Sequence, residues 1–298
     1  MALLLLALGP SARAQLQLAA PAARHRVLYT SLTAAQWNPL GLQSDLFAGY
    51  RYRLFDSRKL LLLDTFAGAM LIARLNPAFA RLGAGLELQP VTPLTLRALY
   101  EHRLYFGTAN MLQSFDSPYD AHDDDELRRR AESGESYRGH GHQITLQAVV
   151  RAKVGPIALL DQLEAVYFAM SLRGDDRLFY VNLFDTLCPR DGFVLANHGH
   201  LVYLTQFGLV AGVRYTLVHA FYPESWIPDG NPNTPNHRIG PIVAYTFRDF
   251  SSRMRAPTVI LILNWWINSR YRSGASVSQA LPYGVIAFQM NGDFWSWN

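Results

Sequence analysis

The feature that most constrains this chain is an alternation of apolar and polar residues with period two, sustained over segments longer than soluble strands need. In 143–154, Gln143, Thr145, Gln147, Val149, Arg151 and Lys153 share one parity, and Ile144, Leu146, Ala148, Val150, Ala152 and Val154 share the other. Successive side chains of a strand point to opposite sides, so such a segment has one wet face and one greasy face. The segment 79–89 repeats the pattern, with Ala80, Leu82, Ala84, Leu86 and Leu88 opposed to Arg81, Glu87 and Gln89. Half the residues are hydrophobic (50%) and only 17% are charged, yet the mean hydropathy is +0.01 because the two kinds are finely interleaved. No run of 18 apolar residues is present, so a membrane-spanning helix is excluded. Soluble strands average about 5–6 residues, whereas a tilted membrane-spanning strand needs about 9–11. The segments here match the longer class.

The alternation predicts twelve strands, at 26–37, 44–55, 59–74, 78–89, 93–107, 140–154, 157–171, 192–205, 208–221, 238–249, 257–271 and 280–291. The count has a range of ten to fourteen, because 177–183 is itself strand-like and reads as a loop hairpin or an extra strand. Links between segments alternate between short and long, the longest being 109–139. That loop carries Asp-Asp-Asp-Glu followed by Arg-Arg-Arg and has too few apolar residues for a core of its own, so a solvated surface loop is expected, with a folded-in plug or a partner-binding surface as the alternatives. At the N-terminus, apolar 2–8, the breaker Gly9-Pro10 and the small-x-small Ala12-Arg13-Ala14 read as a cleavable leader over 1–14, leaving one domain at 15–298. The lone Cys188 forbids an internal disulfide and reads as an unpaired loop cysteine. The net charge of +4 comes from basic residues spread along the chain, which argues against nucleic-acid binding.

These features together resemble the outer-membrane β-barrel proteins of Gram-negative bacteria: leader, long alternating strands, alternating link lengths and aromatics near segment ends such as Tyr105, Phe106, Phe221 and Trp226. The resemblance covers most of 26–297, is porin-like, and reaches no particular subfamily. It implies an all-β, antiparallel up-and-down barrel in the bacterial outer membrane, with short periplasmic turns and long extracellular loops. Outer-membrane lipids and the barrel-assembly machinery are the partners it implies, and no cofactor. Such barrels commonly end on an aromatic residue, whereas this chain ends Phe294-Trp295-Ser296-Trp297-Asn298. Either the last strand closes earlier, near 283–290, or the terminus departs from the usual signal.

The polar parity collects Arg51, Arg53, Arg74, Arg81, Arg97, Arg103, Arg151, Arg214, Arg248, Arg270 and Arg272, with Asp64, Glu87, Glu101 and Glu164 as counter-charges. A pore lined by guanidinium groups would favour small anionic solutes. A closed structural or interaction barrel, stitched inside by Arg–carboxylate pairs, uses the same residues. A lipid-modifying enzyme is the third reading, carried only by His219 near an outer end with Ser225 in the adjacent loop. Two His-x-His pairs, His140/His142 and His198/His200, place two imidazoles on one side of a strand and are candidate metal ligands.

Overall fold

The structure is a computed structural model that describes residues 23–251, 253–275 and 277–297; the leader expected at 1–14 lies outside them. Each expected segment forms a strand: β1 (His25–Trp37), β2 (Gly41–Arg53), β3 (Phe66–Leu75), β4 (Phe79–Val91), β5 (Leu94–Phe106), β7 (Arg138–Val154), β8 (Ile157–Met170), β11 (Asp191–Leu204), β12 (Leu209–Ala220), β13 (Asn236–Thr246), β14 (Arg255–Asn268) and β15 (Tyr283–Trp297). Each pairs antiparallel with its chain neighbour, and β1 pairs with β15, so these twelve strands close into a barrel. Closure leaves no unpaired edge, which is what lets a sheet stand in hydrocarbon. The last strand does not close near 283–290. It runs to Trp297, held in register against β1 as far as His25. Near that end Asp293 ties the seam, with Arg26 at 2.8 Å and Arg255 at 2.7 Å.

The greasy parity faces outward. Leu71, Leu86, Leu146 and Ile286 are 67%, 65%, 57% and 52% exposed, an arrangement tolerable only in a lipid phase. The inner face is divided. On β2–β5 and β7 it carries Arg, Glu, Gln and Thr. On β11–β15 and β1 it is largely apolar toward the periplasmic end, where Leu32, Val202, Val210, Ile242, Ile260 and Val285 form one buried cluster. This half of the barrel is packed shut by side chains, as small barrels are.

The loop after β5 overturns the expectation of a solvated segment. It contains β6 (Ser114–Phe115) and α1 (Asp124–Glu132), and it buries Leu112, Phe115 and Leu127. The charge run is a helix code. Asp123 caps α1 by accepting from the Asp125 and Glu126 amides, acids fill the first turn, and Arg129 and Arg130 sit in the last. Each sign lies where the helix dipole favours it. The missing core is supplied by the loop after β8, whose β9 (Leu178–Val181) and β10 (Thr186–Pro189) form a hairpin and join β6 in a three-stranded sheet. The strand-like 177–183 is therefore part of a loop hairpin, and Cys188 is buried within it.

Candidate functional site

The polar half of the lumen is built on register. Arg51 on β2 and Glu87 on β4 both stand opposite Gly68 on the strand between them. A Cβ there would press on the Cγ atoms of both residues, so glycine is what lets the two charges meet across β3. Arg51 grips Glu87 with two hydrogen bonds, at 2.5 and 3.0 Å. Arg97 shares the same carboxylate at 3.4 Å and donates to Gln147 at 2.8 Å, and Gln147 donates to Glu164 at 2.8 Å. One polar chain thus crosses from β2 to β8. Toward the outside lies a second layer, in which Glu101 pairs with Arg74 at 2.8 Å and Arg81 at 4.0 Å. Arg103 donates to Gln143 at 2.8 Å and lies over the rings of Phe79, Tyr105 and Phe168. Arg151, toward the periplasm, meets only the neutral groups Gln89 and Thr95.

Above these layers the β9–β10 hairpin crosses the lumen. It leaves the wall between β8 and β11, which the strand order places opposite β1. Its tip residue Asn182 accepts from Gln36 of β1 at 2.6 Å and donates to the Leu40 carbonyl at 3.0 Å. Asn236 of β13 donates to the Asp185 carbonyl at 3.1 Å. Between this strap and the polar wall remains a cavity of about 850 Å³, lined by Arg74, Arg81, Arg103, Gln143, Tyr180 and Asn182 and reaching the extracellular loops at Asn38, Asn110 and Asp124. A separate small cavity of about 30 Å³ lies among Arg51, Arg74, Glu87 and Arg97. The larger cavity thus lies on the loop side of the Arg51–Glu87–Arg97 ion-pair layer.

Of the residues expected in the lumen, Arg51, Arg53, Arg81, Arg97, Arg103, Arg151, Arg214, Glu87 and Glu101 lie on strands with their parity inward. Arg270 and Arg272 do not, because β14 ends at Asn268. Arg270 instead donates to the carbonyls of Pro118, Tyr119 and Asp120, and Arg272 clamps Asp124 bidentately at 2.6 and 2.7 Å while reaching Asp185 at 3.0 Å. Both hold the cap together. Arg248 falls in the exposed turn after β13. Arg238, on the inward parity of β13 and 3% exposed, belongs to the wall and was not among the expected residues. The same parity in Asn236 and Ile242 was the available signal.

The histidine pairs are separated by the wall. His140 and His142 point outward and cluster with His102 and Tyr100, the His142 ring nitrogen lying 2.7 Å from the Tyr100 hydroxyl. His198 and His200 point inward, 8% and 7% exposed. The two pairs cannot share an ion, and among the described residues no group of three His, Cys, Asp or Glu side chains is arranged to hold a metal. His219 faces outward with its ring on Phe221, 4.6 Å between centroids, and hydrogen-bonds neither serine nor carboxylate among the described residues.

The cap carries its own titration. The Arg272 guanidinium holds the Asp124 carboxyl below the usual carboxylate range by donating to it. Burial pushes His122 down to about 4, although its ring lies against Tyr271 and beside the Asp120 carbonyl. With a folded pKa below the free value near 6.5, His122 supports the cap above pH 6.5 and withdraws that support as pH falls toward 4. At most about 3 kcal/mol is involved. Amide exchange in β6, α1 and the hairpin will therefore accelerate between pH 6.5 and 4, and His122→Gln will flatten that dependence; a wild-type exchange profile constant across this range contradicts the assignment.

An even-stranded closed antiparallel barrel with an apolar outer surface and a charged interior has the architecture of a transmembrane β-barrel. No family model matches the chain, and no curated protein matches its sequence. Solved structures similar to it include a KdgM porin (8% identity, TM-score 0.39, covering 90% of this chain and 100% of that one). Two others are the translocator domain of the autotransporter NalP from Neisseria meningitidis (12%, 0.40, 90% and 87%) and LpxR from Salmonella typhimurium (11%, 0.36, 89% and 100%).

Proposed function

We propose that this chain is an outer-membrane channel for small anionic solutes, entered through the capped vestibule and following the arginine wall of β2–β7. The observation that carries the reading is the charge imbalance inside. Away from the two rims, Arg51, Arg74, Arg81, Arg97, Arg103, Arg151, Arg214 and Arg238 outnumber Asp45, Glu87, Glu101 and Glu164, with Asp64 and Asp293 adding charge near Arg51 and Asp185 near Arg238. Fixed positive charge between low-dielectric walls concentrates anions and repels cations. The ion-paired layer of Arg51, Glu87 and Arg97 favours a second reading, a non-conducting barrel whose interior is structural. On either reading the chain is exported by its leader, inserted by the barrel-assembly machinery, bathed in outer-membrane lipid, and needs no cofactor.

Replacing Arg81, Arg97 and Arg151 together with glutamine separates the readings. On the channel reading the reversal potential across a planar bilayer under a salt gradient moves toward zero, because the filter has lost three fixed charges. Unchanged selectivity would remove these residues from the solute's path, and absence of single-channel steps from the wild-type protein would favour the structural barrel.

A further inference from the structure

The opposite wall holds two guanidinium groups, of Arg214 and Arg238, with no carboxylate within ion-pair distance among the described residues. His198, Thr216, Arg238 and Trp266 lie in one row across β11–β14, and His200, Arg214, Gly240 and Asn264 lie in the adjacent row. Arg214 donates to the His198 ring nitrogen at 3.1 Å and to Thr216 at 3.3 Å, both neutral groups. The Arg238 guanidinium carbon lies over Tyr283, 3.8 Å from its centroid, with the Trp266 ring at 4.8 Å. Contacts over a ring face engage the π-system of that guanidinium rather than its N–H donors. Its Nε, the Trp266 indole N–H and both amide atoms of Asn264 are buried without any hydrogen-bond partner, and Asn264 is 0% exposed. Gly240 contributes no side chain between Arg214 and Asn264. The carboxylates toward this wall are already engaged: Glu164 of β8 accepts from Gln147 and Gln162, and Asp185 of the hairpin accepts from Arg272 and Tyr180.

Two buried cations on diagonal positions of neighbouring strands, with unpaired donors between them, are costly unless an anion joins them. We infer that Arg214, Arg238, Asn264 and Trp266 form an internal binding site for a small oxyanion, the phosphate or carboxylate group of a solute. The guanidinium groups supply charge-assisted hydrogen bonds, the indole N–H and the Asn264 amide supply neutral ones, and the apolar cluster toward the periplasm closes the floor. The inference deepens the channel reading and rests on it only for the route by which the anion arrives.

The test titrates the folded full chain in detergent with inorganic phosphate at constant ionic strength, following tryptophan fluorescence and, in parallel, heat of binding. Saturable binding by both readouts is expected. Trp266→Phe should remove most of the optical signal and, by deleting the indole donor, weaken the binding read by heat, and Arg238→Gln should weaken binding about tenfold or more. Folding of each variant is checked by its heat-modifiable migration, and Asn264→Ala offers a milder probe if Arg238→Gln does not fold. Lys153→Gln, in an exposed segment, should bind as wild type does. No saturable response from the folded wild-type chain, or equal affinity in folded Arg238→Gln and Asn264→Ala, overturns the site. Anion-selective conductance without phosphate binding would overturn this inference alone, whereas phosphate binding without conductance would overturn the channel alone.

Discussion

Replacing residues 176–188 with a short Gly-Ser linker will raise single-channel conductance several-fold while leaving the barrel folded. The hairpin is the only described element spanning from the β8–β11 wall to β1, and its attachment there is by hydrogen bonds of Asn182 to Gln36 and Leu40. Removing it exposes Val166, Phe168, Val194 and Val218, which it covers, so some loss of stability at the mouth accompanies the opening. The twelve-strand hydrogen-bonded wall does not depend on it, because β8 and β11 pair directly over Asp191–Tyr203. Conductance equal to that of the intact chain would mean that the strap does not limit flow and that the resistance lies in the Arg51–Glu87–Arg97 layer.

The second large effect concerns Glu101. Its side chain is 0% exposed, pairs with Arg74 and lies within 4.0 Å of Arg81. Glu101→Gln keeps the shape and deletes the charge, leaving Arg74 with Asp45 at 3.6 Å and Arg81 with no carboxylate in contact. Breaking a buried pair from one side costs about 3–5 kcal/mol, because the remaining cation stays desolvated. Urea unfolding followed by tryptophan fluorescence will show a destabilisation of that order, and the same variant will conduct with stronger anion preference. A loss below about 1 kcal/mol, the value of an exposed pair, would mean that water reaches this layer freely.

How much of this was legible in the sequence follows from which surfaces each residue divides. All twelve barrel strands were readable because lipid on one side and a charged lumen on the other force strict alternation, as in β7. The start of β3 was misplaced at 59 because Leu60–Leu62 are apolar but not alternating; they form a single 3-10 turn on the periplasmic side, and pairing begins only at Phe66. Parity already put His140 and His142 on the greasy face. It could not do so for His198 and His200, because the inner wall of β11 is itself apolar at Val194, Ala196 and Val202 and polarity no longer marks the lumen. Arg238 was lost for the same reason. The cap was illegible from either loop alone, since Leu112, Phe115 and Leu127 are too sparse for a period and find their partners about 60 residues further on, in β9 and β10.

The most direct test of the central claim is the reversal potential of the full chain in a planar bilayer separating two concentrations of KCl. An excess of internal guanidinium over carboxylate predicts discrete conductance steps and a potential of the sign set by chloride. Steps with the sign set by potassium, or a folded and inserted protein that passes no current at any voltage, would contradict it.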